Sequence, residues 1–365
     1  MNDINIEHLK LIGFTQAIRN HFFNRNTDIS EISEISGIAE NTTLVRIVEV
    51  QRDCFIAHTR FGECTVRVLP KLLADLQEQG ENLAIGDWVL IRADAFGELW
   101  VNGLLPPLNQ LARRANDGRR QVLAANIDTA LLVMGLDHDF NLRRMERYIA
   151  LVHASGIAAL AVMSKADIGI DVDARLAQLR QRLPASVPVL AVNALDRQAS
   201  VELAPWTGAG QTLVVLGSSG VGKSTLTNTL TASSSQQTGG NRKGDGRGRH
   251  TTTARSLHLC EGGACIIDTP GLRTWRPDAD EQTLAATFTD IEALAEHCQF
   301  RDCCHQGEPG CAVAAAVPAD RLLNYHKLLR EARRSQQTHL ERSAQLSKWK
   351  KISKAARQRS REKRA

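Results

Sequence analysis

Residues 217–224 read Gly-Ser-Ser-Gly-Val-Gly-Lys-Ser, a complete G-x-x-x-x-G-K-S pattern. Each residue type has a use at its position. Glycine backbone lets N–H groups close around phosphate oxygens, Lys223 can neutralise the β and γ oxygens of a nucleotide, and the Ser224 hydroxyl can ligate Mg²⁺. The context is the one such a loop requires: Thr212 to Leu216 reads as a buried strand and Thr225 to Leu230 as the first turns of a helix. The spacing therefore predicts a phosphate cradle formed by Gly217, Ser218, Ser219, Gly220, Val221, Gly222, Lys223, Ser224 and Thr225.

Four further stretches narrow the ligand. Asp268-Thr269-Pro270-Gly271 follows a buried strand, as expected of a carboxylate that holds Mg²⁺ through water and a glycine N–H that meets the γ-phosphate. In Thr251-Thr252-Thr253, one hydroxyl, assigned to Thr252, can reach Mg²⁺ when a γ-phosphate is present. Ser164-Lys165-Ala166-Asp167 ends another buried strand. There the Asp167 carboxylate can accept from the guanine N1 and N2 donors, which adenine lacks, while the Lys165 stem covers the base. Asn193-Ala194, after the next strand, can offer a backbone N–H to the guanine O6. In an ordinary GTPase the phosphate loop comes first and Lys-x-Asp late; here the base-reading stretches come first. The same sheet can be built with the chain ends relocated, which is circular permutation.

A second centre is metal-binding. Cys298-x₄-Cys303-x-His305-x₅-Cys311 offers three thiols and one imidazole, with the adjacent Cys304 a further candidate by composition. That donor set suits a closed tetrahedral Zn²⁺ site of structural type. The absence of Cys-x-x-Cys argues against redox chemistry. Cys54, Cys64, Cys260 and Cys265 are scattered among apolar residues and read as core.

These residues need a frame. With 365 residues the chain is expected to form two or three domains. Residues 1–40 read as an arm with an amphipathic segment, Leu9-Ile12-Phe14-Ile18-Phe22. Residues 41–107 carry five short β-like runs, at Leu44 to Val50, Cys54 to Thr59, Cys64 to Leu69, Trp88 to Ala93 and Leu99 to Leu104, which suit an oligonucleotide-binding (OB) type barrel. After the linker Leu105-Pro106-Pro107, residues 108–277 alternate strands (129–135, 159–163, 187–192, 212–216, 264–268) with helices (142–154, 172–182, 225–230), predicting a parallel sheet covered on both faces. A Gly/Ser/Arg-rich run at 233–250 cannot form a core. Residues 278–341 read as a helical zinc domain, with helices over 279–297 and from Asp320, a candidate N-cap, to about Glu341. Residues 342–365 form a basic tail: positions 348–365 hold nine Lys/Arg against Glu362, which outweighs the net charge of +5 and leaves the body slightly acidic. Such a tail suits phosphate backbone. No apolar run spans a bilayer and the polar N-terminus lacks signal-peptide regions, so a cytoplasmic protein is expected, with no membrane partner.

The chain resembles the RsgA (YjeQ-type) family of circularly permuted GTPases of small ribosomal subunit maturation. The resemblance is carried by Gly86-Asp87-Trp88-Val89, residues 121–128 (Gln-Val-Leu-Ala-Ala-Asn-Ile-Asp), residues 139–148 (Asp-Phe-Asn-Leu-Arg-Arg-Met-Glu-Arg-Tyr), the permuted nucleotide stretches and the cysteine segment, and covers nearly the whole chain. It implies an N-terminal OB barrel, a permuted P-loop GTPase core and a C-terminal zinc domain with Cys303, not Cys304, as ligand. It further implies GTP hydrolysis activated by the small subunit, late in its assembly, with rRNA bound; a monomer is the simplest state for such a factor. The family has Asn where this chain has Ser164, and a serine's shorter reach is expected to weaken the purine N7 contact, the tie to the phosphate loop and hence nucleotide binding, while Asp167 keeps guanine selection. Leu272 stands where many GTPases place a water-orienting Gln, a feature the family shares, and His250 is the candidate to supply that polar group. The other readings of the same residues are an RNA-binding scaffold that senses GTP or GDP with little hydrolysis, and a metabolic P-loop kinase, which Lys165-x-Asp167 disfavours.

Overall fold

In the computed structural model the described residues are 9–25, 42–59, 62–115, 119–231, 256–268, 281–285 and 288–336. The expected run at 233–250, the Thr251 to Thr253 triplet, Thr269 to Leu272 and the basic tail lie outside them.

Strands β1 (Thr42–Val50), β2 (Phe55–Thr59), β3 (Gly62–Val68), β4 (Trp88–Ala93) and β5 (Leu99–Leu104) pair in the order β1-β2-β3-β5-β4, and β4 returns to β1. The ring is closed, so no strand of the barrel is left with an open edge. Helix α1 (Gln16–Arg25) precedes the barrel, and α2 (Pro70–Glu78), with Pro70 in its first turn, lies between β3 and β4. Val45, Ile47, Ala57, Val66, Val89, Ile91 and Val101 alternate inward to form the barrel core. The arm is docked: Leu9, Ile12, Phe14 and Ile18 bury against Leu44, Trp88 and Leu105, and Phe14 meets Trp88 edge-on at 4.9 Å.

A hairpin not foreseen in the sequence follows the linker, β6 (Gln110–Arg114) with β7 (Arg120–Ala125). It lies against the barrel, where Ala125 N–H donates to Ile85 O at 2.8 Å. A side chain at Gly86 would put its Cβ 2.2 Å from Ala125 O, so glycine sets this approach.

The core sheet contains β8 (Thr129–Gly135), β9 (Ala158–Ser164), β10 (Val189–Ala191), β11 (Thr212–Gly217), β12 (Ser256–Leu259) and β13 (Cys265–Asp268) in the order β10-β9-β8-β11-β13-β12. All pairings from β10 to β13 are parallel. Every residue of β8 is buried, as both faces are covered. The five strands read from the sequence do pair in parallel, and the sheet gains an edge strand the sequence did not suggest: β12 runs antiparallel to β13 and pairs with β1 at Ser256 and Glu49, joining core and barrel in one hydrogen-bonded sheet. Helices α3 (Leu142–Ala154) and α4 (Val172–Arg182) take their expected bounds; α5 (Gln198–Glu202) and α6 (Lys223–Thr231) complete the core. Asn141 caps α3 by accepting from Arg144 N–H at 3.0 Å, and Met145, Tyr148, Ile149 and Val152 form its buried stripe.

Arg46 fastens the parts. Fully buried on β1, it donates to Ile12 O (2.6 Å) in the arm, Gly86 O (3.3 Å) in the barrel, Asn126 O (3.3 Å) after the hairpin and Thr212 Oγ1 (3.0 Å) at the foot of β11. Burial lowers its pKa, opposed by the nearby Cys265, Asp128 and Asp87.

The C-terminal region departs from the expected single helix over 279–297. It is two short helices, α7 (Glu281–Ala285) and α8 (Thr289–Ala295), because buried Phe288 interrupts the run to stack on Tyr325 at 5.2 Å. Then come α9 (Ala312–Ala316) and α10 (Ala319–Gln336). Asp320 is inside the first turn of α10 rather than at its cap, its carboxylate engaged with Arg182 at 2.8 Å. Val313, Val317, Tyr325, Leu328 and Ala332 join the same apolar core as α3 and the face of the sheet. No helix among the described residues is long and apolar enough to cross a membrane.

Candidate nucleotide and metal sites

Gly135, Ser164, Gly217 and Asp268 are the last residues of β8, β9, β11 and β13, so the candidate base-reading and phosphate-binding stretches open on the same carboxyl edge of the parallel sheet. That edge is where open α/β sheets bind ligands. The permuted order is thus a matter of connectivity, and the sheet brings the distant stretches together.

At the phosphate loop, Gly217 packs so closely on β8 that a Cβ would lie 2.3 Å from Val133 O. Gly220 (φ +80°) and Gly222 (φ +94°) adopt the left-handed conformation that turns the backbone N–H groups. Lys223 is buried, its Nζ donating to Gly217 O at 3.1 Å and Ser218 O at 2.6 Å. The ammonium is therefore held across the loop mouth. Ser224 and Thr225 follow in the first turn of α6.

The candidate base-reading turn is tied to this loop by Ser164. The residue is fully buried, and its hydroxyl donates to Val221 O at 2.6 Å. The tie that serine was expected to weaken is present, because the close approach of β9 to the loop brings the short side chain within hydrogen-bond reach. Lys165 has φ +61°, one of four non-glycine residues in the left-handed region among the described residues. Such positions cost on the order of 1 kcal/mol or more and cluster at functional sites. Its Nζ donates to Asp137 Oδ2 at 2.7 Å. Burial raises the Asp137 carboxyl, but the Lys165 hydrogen bond, the Asp139 N–H and the charges of Lys165 and His138 outweigh it and hold the pKa below its ordinary value. Asp167 is exposed on the turn after β9. Asn193 Oδ1 accepts from Leu195 N–H at 3.0 Å, and buried Ala194 accepts from Thr229 Oγ1 at 2.7 Å, fixing that loop on α6. Asp268 is buried at the end of β13. His250, Thr252 and Gly271 lie outside the described residues.

Two acidic residues here were not singled out by sequence reasoning. Asp137 holds Lys165, and Asp139 accepts from Ser218 Oγ at 2.9 Å while paired with Arg144 at 2.7 Å. Asp139 opens the 139–148 stretch that carries the family resemblance, but the sequence suggests no role for it there; the signal for Asp137 was position alone, in the turn that leaves the strand beside the Ser-Lys-Ala-Asp strand.

The metal candidates converge. The ligand atoms of Cys298, Cys303, His305 and Cys311 all lie within 4.8 Å of one another. His305 Nδ1 is 3.6 Å from Cys298 Sγ and 3.5 Å from Cys311 Sγ, and the two sulfurs are 3.9 Å apart. A tetrahedron with Zn–S of ~2.3 Å and Zn–N of ~2.0 Å has edges of about 3.5 to 3.8 Å, so the four residues fit zinc. Cys304 is exposed and points away, its thiol on Asp302 O. His305 (φ +57°) is another of the four left-handed residues, and its carbonyl accepts from His326 Nε2 at 3.3 Å. Backbone N–H groups of Val313 and Ala312 lower the Cys298 pKa. Against the His305 N–H, which lowers it, desolvation and the neighbouring Cys311 and Cys298 sulfurs push Cys303 up to about 12, so without a metal the cluster favours one thiolate rather than three.

This segment is anchored to the core through Glu146 on α3. Its buried carboxylate accepts from Arg182 on α4, from Arg321 on α10 and from Asn324 Nδ2 at 2.9 Å. Arg321 also donates to Asp290 Oδ1 at 2.8 Å.

Residues 104–277 match a family model described as RsgA GTPase. A protein of Vibrio parahaemolyticus named small ribosomal subunit biogenesis GTPase RsgA 2 is 41% identical over 320 residues, 86% of each chain. Two solved structures share the fold: YjeQ from Thermotoga maritima, at TM-score 0.59 and 22% identity over 80% of this chain and 98% of that one, and YloQ, described as a circularly permuted GTPase, at 0.57 and 21% over 83% and 99%.

Proposed function

Since the chain belongs to the RsgA GTPase family, we propose that it binds guanine nucleotide and hydrolyses GTP to GDP and phosphate, stimulated by the small ribosomal subunit, as a late factor in that subunit's assembly. The observation that carries this reading is the shared carboxyl edge of β8, β9, β11 and β13, where Ser164 ties the base-reading turn to the phosphate loop at 2.6 Å.

The residues divide the work. Asp167 reads the guanine N1 and N2 donors, the Lys165 stem covers the base, and the Asn193-Ala194 loop supplies an N–H to O6. Backbone N–H groups from Gly217 to Thr225 cradle the phosphates. Lys223 leaves its loop carbonyls to meet β and γ oxygens, exchanging two neutral acceptors for charged ones. Ser224 and Thr252 would hold Mg²⁺, with Asp268 acting through water, and the ion supplies charge neutralisation at the phosphates. Gly271 N–H senses the γ-phosphate. Water attacks the γ-phosphorus as the bond to the β–γ bridging oxygen breaks, and His250 orients that water in place of the glutamine that Leu272 replaces. Cys298, Cys303, His305 and Cys311 would hold one structural Zn²⁺. The barrel, the zinc segment and the basic tail contact rRNA, and the protein acts as a cytoplasmic monomer.

His250→Ala tests the water assignment: subunit-stimulated turnover should fall at least tenfold with GDP affinity kept. Unchanged stimulated turnover would exclude His250. Tight GTP-dependent RNA binding with no stimulated turnover in the wild type would favour a nucleotide-sensing scaffold.

A further inference from the structure

We propose that Asp139 is a positioning residue for the phosphate loop: from outside the loop, its carboxylate holds Ser218 in place and thereby sets nucleotide affinity. This rests on reading the carboxyl edge of the sheet as a nucleotide site.

Ser218 is held at both of its polar ends. Its hydroxyl donates to Asp139 Oδ1 at 2.9 Å, and its carbonyl accepts from Lys223 Nζ at 2.6 Å. The loop residue that presents the lysine is thus fixed by a carboxylate that belongs to the turn between β8 and α3. That carboxylate cannot swing freely. Its second oxygen is 2.7 Å from Arg144 and 3.4 Å from the Gly135 N–H, and its side chain is 13% exposed. Its backbone is equally constrained: Asp139 N–H donates to Asp137 Oδ1 at 3.0 Å, Phe140 N–H to Asp137 O at 3.2 Å, and Arg144 also donates to Asp139 O.

The chemistry explains why an acid needs this company. A bare carboxylate beside a phosphate-binding loop would repel the nucleotide. Arg144 offsets its charge, and the Ser218 hydroxyl occupies the oxygen nearest the loop. What remains is an acceptor that shapes the loop before nucleotide arrives. The same turn carries Asp137, which holds Lys165 at 2.7 Å, so base-covering and phosphate-binding groups are set from one piece of backbone.

The test measures the affinity of fluorescent GDP for full-length wild type, Asp139→Ala, Asp139→Asn, Ser218→Ala and the Asp139→Ala/Ser218→Ala double variant. Asp139→Ala should weaken GDP about 10- to 100-fold, the ~1.5–3 kcal/mol of a hydrogen bond to a charged group. Asp139→Asn keeps an oxygen for Ser218 but faces Arg144 with an amide N–H₂, so it should fall between. Ser218→Ala should weaken GDP, and the double variant should be no weaker than the worse single one. A merely structural role for Asp139 predicts additive losses instead, so additivity overturns the proposal. GDP affinity within threefold of wild type in either Asp139→Ala or Ser218→Ala also overturns it, and the serine variant decides the matter if Asp139→Ala does not fold. A wild-type chain with no affinity for GDP would overturn the reading of the site itself, and this inference with it.

Discussion

Replacing Glu146 by alanine removes the one carboxylate that three side chains from two parts of the chain share. Its side chain is 2% exposed, and it accepts from Arg182 at 2.9 Å, from Asn324 at 2.9 Å and from Arg321. Without it Arg182 and Arg321, 14% and 7% exposed, face each other without the intervening charge. Removing one partner of a buried ion pair costs ~3–5 kcal/mol. Arg182 keeps Asp320 and Arg321 keeps Asp290, both at 2.8 Å, which places the loss near the lower end, about 3 kcal/mol. That loss falls on the contact between α10 and the core. Hydrogen exchange over residues 319–336 should therefore accelerate about a hundredfold, at 1.4 kcal/mol per tenfold. The exposed Arg67–Glu98 pair is the control: Glu98→Ala should cost less than about 1 kcal/mol. Exchange over 319–336 within threefold of wild type in Glu146→Ala would refute the argument that this network docks the zinc segment.

Ser164→Ala leaves the Val221 carbonyl without its 2.6 Å donor. It should cost ~1–3 kcal/mol, read by calorimetry as GDP binding weakened about 5- to 100-fold with guanine still preferred over adenine. Cys298→Ser, or a strong chelator, should take zinc from one per chain to none and release protection over 289–336 while strands 129–135 and 212–217 keep theirs, as read by metal analysis and hydrogen exchange. Asp87 is fully buried in the barrel, and burial raises its pKa from 3.8 to about 7, against the Ala84 N–H and Arg46 that lower it. A carboxyl with a raised folded pKa binds more protons folded than unfolded, so its contribution to stability falls as pH rises from 3.8 to about 7. Asp87→Asn should flatten that part of the stability curve; an unchanged slope in denaturation midpoints across the window would contradict it.

Much of the frame was legible because local signals agreed. Asn141 before a stripe at 145, 148, 149 and 152 marks α3 at both levels, and five short runs with turns between them mark the barrel. The candidate nucleotide and zinc stretches stood out because such chemistry depends on spacing, and the fold brings the four zinc candidates within 4.8 Å of one another. What escaped depends on partners far along the chain. Strand β12 is four residues long and exists through pairing with both β13 and β1. The β6–β7 hairpin carries arginines on a small two-stranded sheet and reads locally as a loop. Arg46 is one more charged residue on a strand until its guanidinium is seen to reach Ile12 and Thr212, 34 and 166 positions away. Asp139 and Glu146 lie in the same position: a carboxylate announces a partner only when the fold supplies one. Ser164 shows the converse: its shortness suggested a weaker tie to the phosphate loop, and the close approach of strand and loop that gives its hydroxyl a 2.6 Å bond to Val221 O cannot be read locally.

Whether the carboxyl edge of the sheet is a subunit-stimulated GTPase site is decided by GTP turnover of the purified chain with and without small ribosomal subunits, with ATP and large subunits as controls. Slow turnover alone and stimulation confined to GTP and small subunits are expected, on the order of 10³-fold or more as for other partner-ordered GTPases. Equal turnover of ATP, or no stimulation by small subunits, would contradict that assignment.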